Sequence, residues 1–256
     1  MKIAIIVCFA RYYHRIQNVE TQSYKFLLQP IILLIVPCYL VIKQPDLGTA
    51  ILIAGSGLAI IWLAGINIKY FVYSGLLLLV SLPFVISFLK PYQKSRILTF
   101  FNPDRDPLGA GYQIIQSKIA IGSGGFYGKG FLKGTQSYLE FLPEKHTDFI
   151  FTLFSEEFGF LGSVILIFLY LLLIYRIIKI GFDCRSFFSR LFCFGFSTAL
   201  FLYVFVNIAM VNGLLPIVGA PLPIMSYGGS SMLSIMLGLS IVMSCKIYSN
   251  DQISNY

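Results

Sequence analysis

The sequence predicts an all-α, polytopic integral membrane helical bundle with about seven spans, the first incomplete, and one long extracytoplasmic loop. Three observations predict it. Hydrophobic residues make up 57% of the chain and charged residues 12%, with 24 Phe and 16 Tyr, and the mean hydropathy is +0.80; a soluble domain with polar loops lies far from these values. Apolar runs near 27–43, 48–66, 70–89, 152–175, 191–211 and 228–245 approach the about 20 residues a helix needs to cross hydrocarbon. Twelve Asp, Glu, Lys and Arg residues gather between Tyr92 and Asp148, in one polar stretch.

The chain opens with an apolar run, Ile3 to Ala10, that Arg11 interrupts. It is too short to cross a bilayer by itself, so the sequence looks as though it begins inside a helix. A leader peptide is the competing reading, since Lys2 and a short apolar run imitate one, but no small-x-small cleavage pattern follows. The spans 27–43 and 48–66 are divided by a turn in which Pro45 stops one helix and Asp46 caps the next. The segment 176–190 carries Arg176, Lys179, Arg185 and Arg190 against Asp183, and 11–25 is also basic, so both are placed in the cytoplasm. Alternation then puts the turn at 44–49, the loop at about 90–147 and the uncharged loop at 212–227 on the other side. Lys94, Arg105, Lys133 and further cations in the long loop oppose this count, but loops of that length obey the charge rule weakly. With no repeat, low-complexity tract or linker, residues 1–256 read as one membrane domain.

Several function classes fall away. The net charge of +8 comes from cations scattered at span ends and in loops, with no basic helix or aromatic-basic motif, so no nucleic acid is expected and anionic lipid or phosphate is the fitting partner. Cys8, Cys38, Cys184, Cys193 and Cys245 show no C-x-x-C spacing and read as small core residues. The topology separates His14 from His146, and no Ser-His-Asp set shares a face, which removes zinc-enzyme and protease readings.

The residues left to carry chemistry center on 142–151. Thr147 and Asp148 are helix-capping types, and a carboxylate there gains about 0.3–1 kcal/mol from the helix's positive end. Against capping alone, Glu144, Lys145 and His146 crowd the same turn, while Thr152 and Ser155 continue a polar stripe down the helical face of Asp148, as if lining a cavity. Glu156 and Glu157 follow about 12 to 14 Å along the helix, where an acid needs an interface position, a cavity or a cation partner; because the run from Phe158 to Tyr175 can span by itself, an interface position is favored for both, with a loop cation as the main alternative. The run 121–130 has the glycine density of a phosphate cradle, with Lys118, Lys129 and Lys133 along it. It is no Walker loop, because Ser123 stands where the first glycine belongs and Gly130 where a Ser or Thr belongs. A plain glycine-rich loop is the alternative. The breaker-rich segment 212–231 is tolerated at a membrane only when buried in protein or beside a cavity.

Together, QPDLGTA at 44–50, RILTFFNPDRDPLGAGYQIIQSKIAIGSGGFYGKGF at 96–131, GTQSYLEFLPEKHTDFIFTLFSEEFGFLG at 134–162 and GAPLPIMSYGGSS at 219–231 resemble the SEDS family of bacterial cell-wall proteins (FtsW/RodA/SpoVE). The blocks occur in order along almost the whole chain, and they look more like the elongation branch than the division branch. The resemblance implies a multi-pass protein of the bacterial inner (plasma) membrane. It would be a peptidoglycan glycosyltransferase that polymerises lipid II, the undecaprenyl-pyrophosphate-linked disaccharide peptide, during cell elongation. Its implied partners are a class B penicillin-binding protein and other elongation-complex proteins.

On that resemblance Asp148 matches an essential extracytoplasmic aspartate, acting as base or orienting a metal. Arg96, Lys118 and Lys129 are assigned to the pyrophosphate from charge and position, and Glu144 and His146 to the substrate. A divalent cation, Mg²⁺ or Mn²⁺, would bridge phosphate oxygens beside a carboxylate; no metal-ligand set is legible. The family pattern also contains further spans upstream, a Pro-Ser-Glu motif and a functional tryptophan. None of these occurs in this sequence, whose lone Trp62 falls within a span. A lipid II flippase or transporter, and an inactive fragment of a split gene, therefore stay open beside the enzyme.

Overall fold

A computed structural model describes residues 1–16, 25–44, 46–88, 91–106, 109–135 and 146–250. The described residues form nine α-helices and one 3-10 turn, with no strand. In chain order the helices are α1 (Lys2–Ile16), α2 (Lys25–Lys43), α3 (Leu47–Leu63), α4 (Ile68–Phe88), α5 (Pro91–Phe101), the 3-10 turn η1 (Pro103–Arg105), α6 (Ala110–Ser123), α7 (Ile150–Asp183), α8 (Phe187–Val211) and α9 (Gly229–Ile247).

All six expected spans are helices, and the chain is a polytopic helical membrane protein. Three of the helices, α7, α8 and α9, are long and apolar enough to cross a membrane by themselves, while α2, α3 and α4 contain shorter apolar stretches. Leu77 and Val80 of α4 are 71% and 75% exposed, the reverse of a water-facing helix and the expected state of side chains solvated by lipid.

The first helix continues past the apolar run Ile3–Ala10 to Ile16, carrying Tyr13 and His14 into the core. Two expectations need correction. The long polar stretch is not simply a loop, since α5, η1 and α6 lie within it. The basic segment after α7 is mostly helical too, because α7 continues to Asp183 and leaves only residues 184–186 to link it to α8.

The chain divides into two compact units. The first comprises Met1–Phe71, Leu171–Tyr203 and Gly229–Tyr256. In it, α1 packs on α2, α3 and α9, burying Ile5, Ile6, Phe9, Ala10 and Tyr13, a set spaced to lie on one helical face. Small residues allow close approach: a Cβ on Gly57 would lie 2.6 Å from Leu34 Cδ1 and 3.1 Å from Phe9 Cε2. The Arg185 N–H donates to the Ser249 carbonyl at 3.0 Å, tying the α7–α8 link to the end of α9. All five cysteines are free thiols, Cys184, Cys193 and Cys245 buried as expected, but Cys8 exposed.

The second unit comprises Val72–Tyr170 and Val204–Gly228. Here α5, η1 and α6 pack on one another, beside the first part of α7 and the end of α8 with its following loop. Every described residue assigned above to chemistry lies in this unit.

Candidate functional site

The glycine-rich segment is spliced into a broken helix. Within α7, Gly159 adopts φ 67°, ψ −162°, which a side chain would oppose, and the helical ladder stops there. A break in a membrane helix strands backbone groups that lipid cannot satisfy. Here the preceding segment satisfies them. The Glu156 and Glu157 carbonyls accept from the Lys129 and Gly130 N–H groups at 3.1 and 3.0 Å, and the Phe160 and Leu161 N–H groups donate to the Gly125 and Phe126 carbonyls at 2.9 and 3.1 Å. The approach is close enough that a Cβ on Gly124 or Gly128 would collide with the Ser155 or Glu157 carbonyl. The glycines do serve close backbone approach, here to α7.

Lys129 belongs to the same splice. Its Nζ donates to Glu156 Oε1 at 2.7 Å, and Thr135 Oγ1 lies 2.8 Å from that Nζ and donates to the same oxygen at 3.1 Å. Glu156 is fully buried and Glu157 half-buried, so the favored interfacial position fits only the second, and Glu156 has taken the cation-partner alternative. Lys129, assigned to pyrophosphate by charge and position, is engaged in this ion pair.

The polar stripe below Asp148 is packed and not a cavity wall. Thr152 is fully buried and shares a 2.7 Å hydrogen bond with Ser117 of α6, whose hydroxyl also bonds the Val211 carbonyl at 2.7 Å. Ser155 accepts from Ser163 at 2.9 Å. These hydroxyl contacts join α6, α7 and the end of α8.

Asp148 itself is half-buried in the turn before α7, and its main chain is gripped from three directions. Asn207 Nδ2 donates to the Asp148 carbonyl at 2.7 Å and to the Ala220 carbonyl at 2.6 Å. Ser226 Oγ donates to the Thr147 carbonyl at 2.6 Å while accepting from the Leu222 N–H at 2.7 Å. The Tyr227 N–H donates to the His146 carbonyl at 2.9 Å. The breaker-rich loop after α8 is therefore a clamp on residues 146–148, and Tyr170 anchors it by donating its hydroxyl to the Pro223 carbonyl.

The same uncharged loop collects two cations. Arg96 Nη1 donates to the Ile217 carbonyl at 3.2 Å, and Lys118 Nζ is where a Cβ on Gly213 would be only 2.8 Å away. A Cβ on Gly219 would be 3.4 Å from Asp148 Oδ2. Arg96, Lys118 and Asp148 thus meet one loop at residues 217, 213 and 219. His146 is exposed at the turn. Glu144 lies outside the described residues.

Sequence reasoning missed Asn207. It is fully buried, it bridges both halves of the clamp, and its Oδ1 has no hydrogen-bond partner among the described residues. The available signal was a lone amide within the apolar run of α8, where a polar side chain is costly unless it has a task.

Among the described residues no group of three or more His, Cys, Asp and Glu side chains converges as a metal cage. Magnesium commonly needs only one or two carboxylates, with substrate phosphates and water completing its shell. Asp148 can supply one such ligand.

Residues 1–251 match the FtsW/RodA/SpoVE family model, described as cell cycle protein. The peptidoglycan glycosyltransferase MrdB of Escherichia coli K12 is 49% identical over 244 residues, which is 95% of this chain and 65% of that protein. Stage V sporulation protein E of Bacillus subtilis is 36% identical over 251 residues, 97% of this chain and 68% of that protein. Among solved structures, a chain from work on how a peptidoglycan synthase complex coordinates polymerization and crosslinking aligns with TM-score 0.73 and 32% identity, covering 96% of this chain and 68% of that one. The Thermus thermophilus rod shape determining protein RodA aligns with TM-score 0.65 and 24% identity over 98% of this chain and 64% of that one, a likeness of fold alone. The chain thus spans about two thirds of the length of the relatives it matches.

Proposed function

The chain belongs to the FtsW/RodA/SpoVE family of cell cycle proteins, and from that premise we propose that it carries the acceptor-activating site of a peptidoglycan glycosyltransferase acting on lipid II. The observation behind this reading is the clamp: three hydrogen bonds to the 146–148 main chain hold one carboxylate beside a loop that also takes Arg96 and Lys118.

In the reaction, a sugar hydroxyl of one lipid II attacks the anomeric carbon of another. The new C–O bond forms as the bond to the polyprenyl pyrophosphate breaks, with inversion, and the leaving group departs with the electron pair. Asp148 takes the hydroxyl proton, a role worth about 10²–10⁴-fold in rate for a positioned base. Arg96 and Lys118 face the charge that develops on the pyrophosphate, and His146, exposed on the same turn, contacts substrate. A divalent cation held by Asp148 would neutralise pyrophosphate charge. The site faces outward from the bacterial inner membrane, as the basic short segments require, and a class B penicillin-binding protein is the partner that crosslinks the glycan.

A second reading has one observation of its own. A helix broken beside a buried acid, as at Gly159 and Glu156, is how transporters build substrate sites. In this molecule the Lys129 pair and four backbone bonds occupy that break, which favors surface chemistry over passage of lipid II.

Incubating the purified chain with lipid II and resolving the glycan by electrophoresis tests the proposal. Polymer from the parent and none from Asp148→Asn is the expected result; polymer surviving in the variant sinks the base assignment. A parent chain that makes no polymer supports the fragment reading, and translocation of lipid II that depends on Glu156 but not Asp148 supports transport.

A further inference from the structure

The glycine-rich segment carries an apolar surface that its splice to α7 does not cover. Phe126, Tyr127, Phe131 and Leu132 are 54%, 80%, 68% and 74% exposed, and contiguous apolar exposure of this kind marks a contact with protein or membrane. Two ring contacts seat the segment on α7: the Phe126 and Phe160 centroids lie 5.9 Å apart, and those of Phe131 and Phe158 6.3 Å. From Phe160 the exposure continues along α7 through Leu161, Val164, Ile165, Phe168 and Leu169, spaced to form one helical stripe. That stripe belongs to a helix long and apolar enough to cross a membrane, so the rings of the segment extend the bare face of a span.

The charge pattern of α7 gives the depth. Phe158 to Tyr175 is a run without charge, bounded by Glu157 and Arg176. As helix it spans about 27 Å, slightly less than the about 30 Å of hydrocarbon in a bilayer. With Arg176 at one boundary, Gly159 and the rings packed beside it fall at the other, on the side of Asp148. At that level aromatic side chains are favored, and long cations reach headgroups while their stems lie on apolar surface. Lys133, exposed two residues after Phe131, supplies such a cation. The backbone suits the same level, since the groups of Gly125, Phe126, Lys129 and Gly130 that face α7 are paired with it and need no water.

We propose that residues 126–132 form a wedge seated at the headgroup boundary of the bilayer, with Phe126, Tyr127, Phe131 and Leu132 among the upper acyl chains. The occupant of this surface is lipid, because the surface continues the exposed stripe of a span and carries Lys133 at its polar edge. The polar stretch between α4 and α7 does not stand wholly in water: this part of it is a membrane-binding element. The inference holds whichever reaction Asp148 performs.

The test uses the full chain reconstituted in phosphatidylcholine vesicles, with Trp62→Phe removing the lone tryptophan and Tyr127→Trp or Phe131→Trp placing one in the wedge. Phe168→Trp, about 15 Å further along α7 than Phe158, marks the middle of the bilayer. Emission is read against phosphatidylcholine brominated near its headgroup or near its chain ends, and against iodide on both sides of the membrane. At both wedge positions the headgroup-side bromine removes more emission than the chain-end bromine, the order reverses at Phe168→Trp, and iodide removes less than it does from N-acetyltryptophanamide. Should either wedge variant lose its helical circular dichroism, Leu132→Trp takes its place. Iodide quenching equal to that of the free compound, with none by lipid, puts the segment in water and overturns the proposal. Protection from both quenchers overturns it too, by showing that a second copy or another protein covers the face, as does a quenching order matching that of Phe168→Trp.

Discussion

Asp148 and Glu156 lie eight residues apart and are held in opposite ways. Glu156 is fully buried, and its charge is what holds it, through a 2.7 Å pair with Lys129. Asp148 is half-buried and is gripped by its main chain, through Asn207 and through the neighboring carbonyls that Ser226 and Tyr227 reach. A charge used as a fastener is committed to the fold. A main-chain grip, by contrast, sets a carboxylate in place independently of its charge, which is the arrangement a reacting group needs.

The comparison breaks or sharpens on five substitutions. The largest effect belongs to Asp148→Asn, which lowers lipid II polymerisation by about 10²–10⁴-fold, further than any accompanying loss of stability explains; an activity loss that merely tracked the stability loss would make Asp148 a fastener as well. Next comes Lys129→Met, which strands a buried acid and destabilises the fold by about 3–5 kcal/mol in denaturant unfolding. Adding Glu156→Leu to it recovers much of that loss, because a buried pair replaced by apolar groups is often neutral; no recovery would show that Lys129 acts elsewhere. Asn207→Leu removes the bridge between the Asp148 and Ala220 carbonyls and costs about 1–3 kcal/mol, with polymerisation falling further than stability explains. The smallest is Ser117→Ala, which loses the hydroxyl link between α6 and Thr152 for about 1 kcal/mol and leaves polymerisation close to the parent's.

The spans were legible because crossing hydrocarbon demands long apolar runs, and all six runs became helices, five within four residues of their expected ends and α7 running on to Asp183. The polar stretch hid α5 and α6 because low hydropathy was read as loop, although Ile114, Ile115 and Ile119 carry helical spacing in α6. The break at Gly159 was not legible. A lone glycine in an apolar run is ordinary in membrane helices, and its positive φ follows from partners distant in sequence. Glycine density at 121–130 correctly signaled close approach but not to what, since pattern carries no partner. Asp148 stood out as the acid opening a long apolar helix, whereas the clamp around it depends on Asn207 and Ser226 arriving from a different part of the chain.

The splice at Gly159 also orders assembly. Residues 124–130 leave the ribosome before α7 does, so the strip of N–H and carbonyl groups that completes the broken helix exists before the helix that needs it. An isolated α7 entering lipid would have to close its break as ordinary helix or leave four groups bare. In the intact chain the earlier segment acts as a template waiting for it, and a truncation that begins after residue 130 should give an α7 that inserts straight.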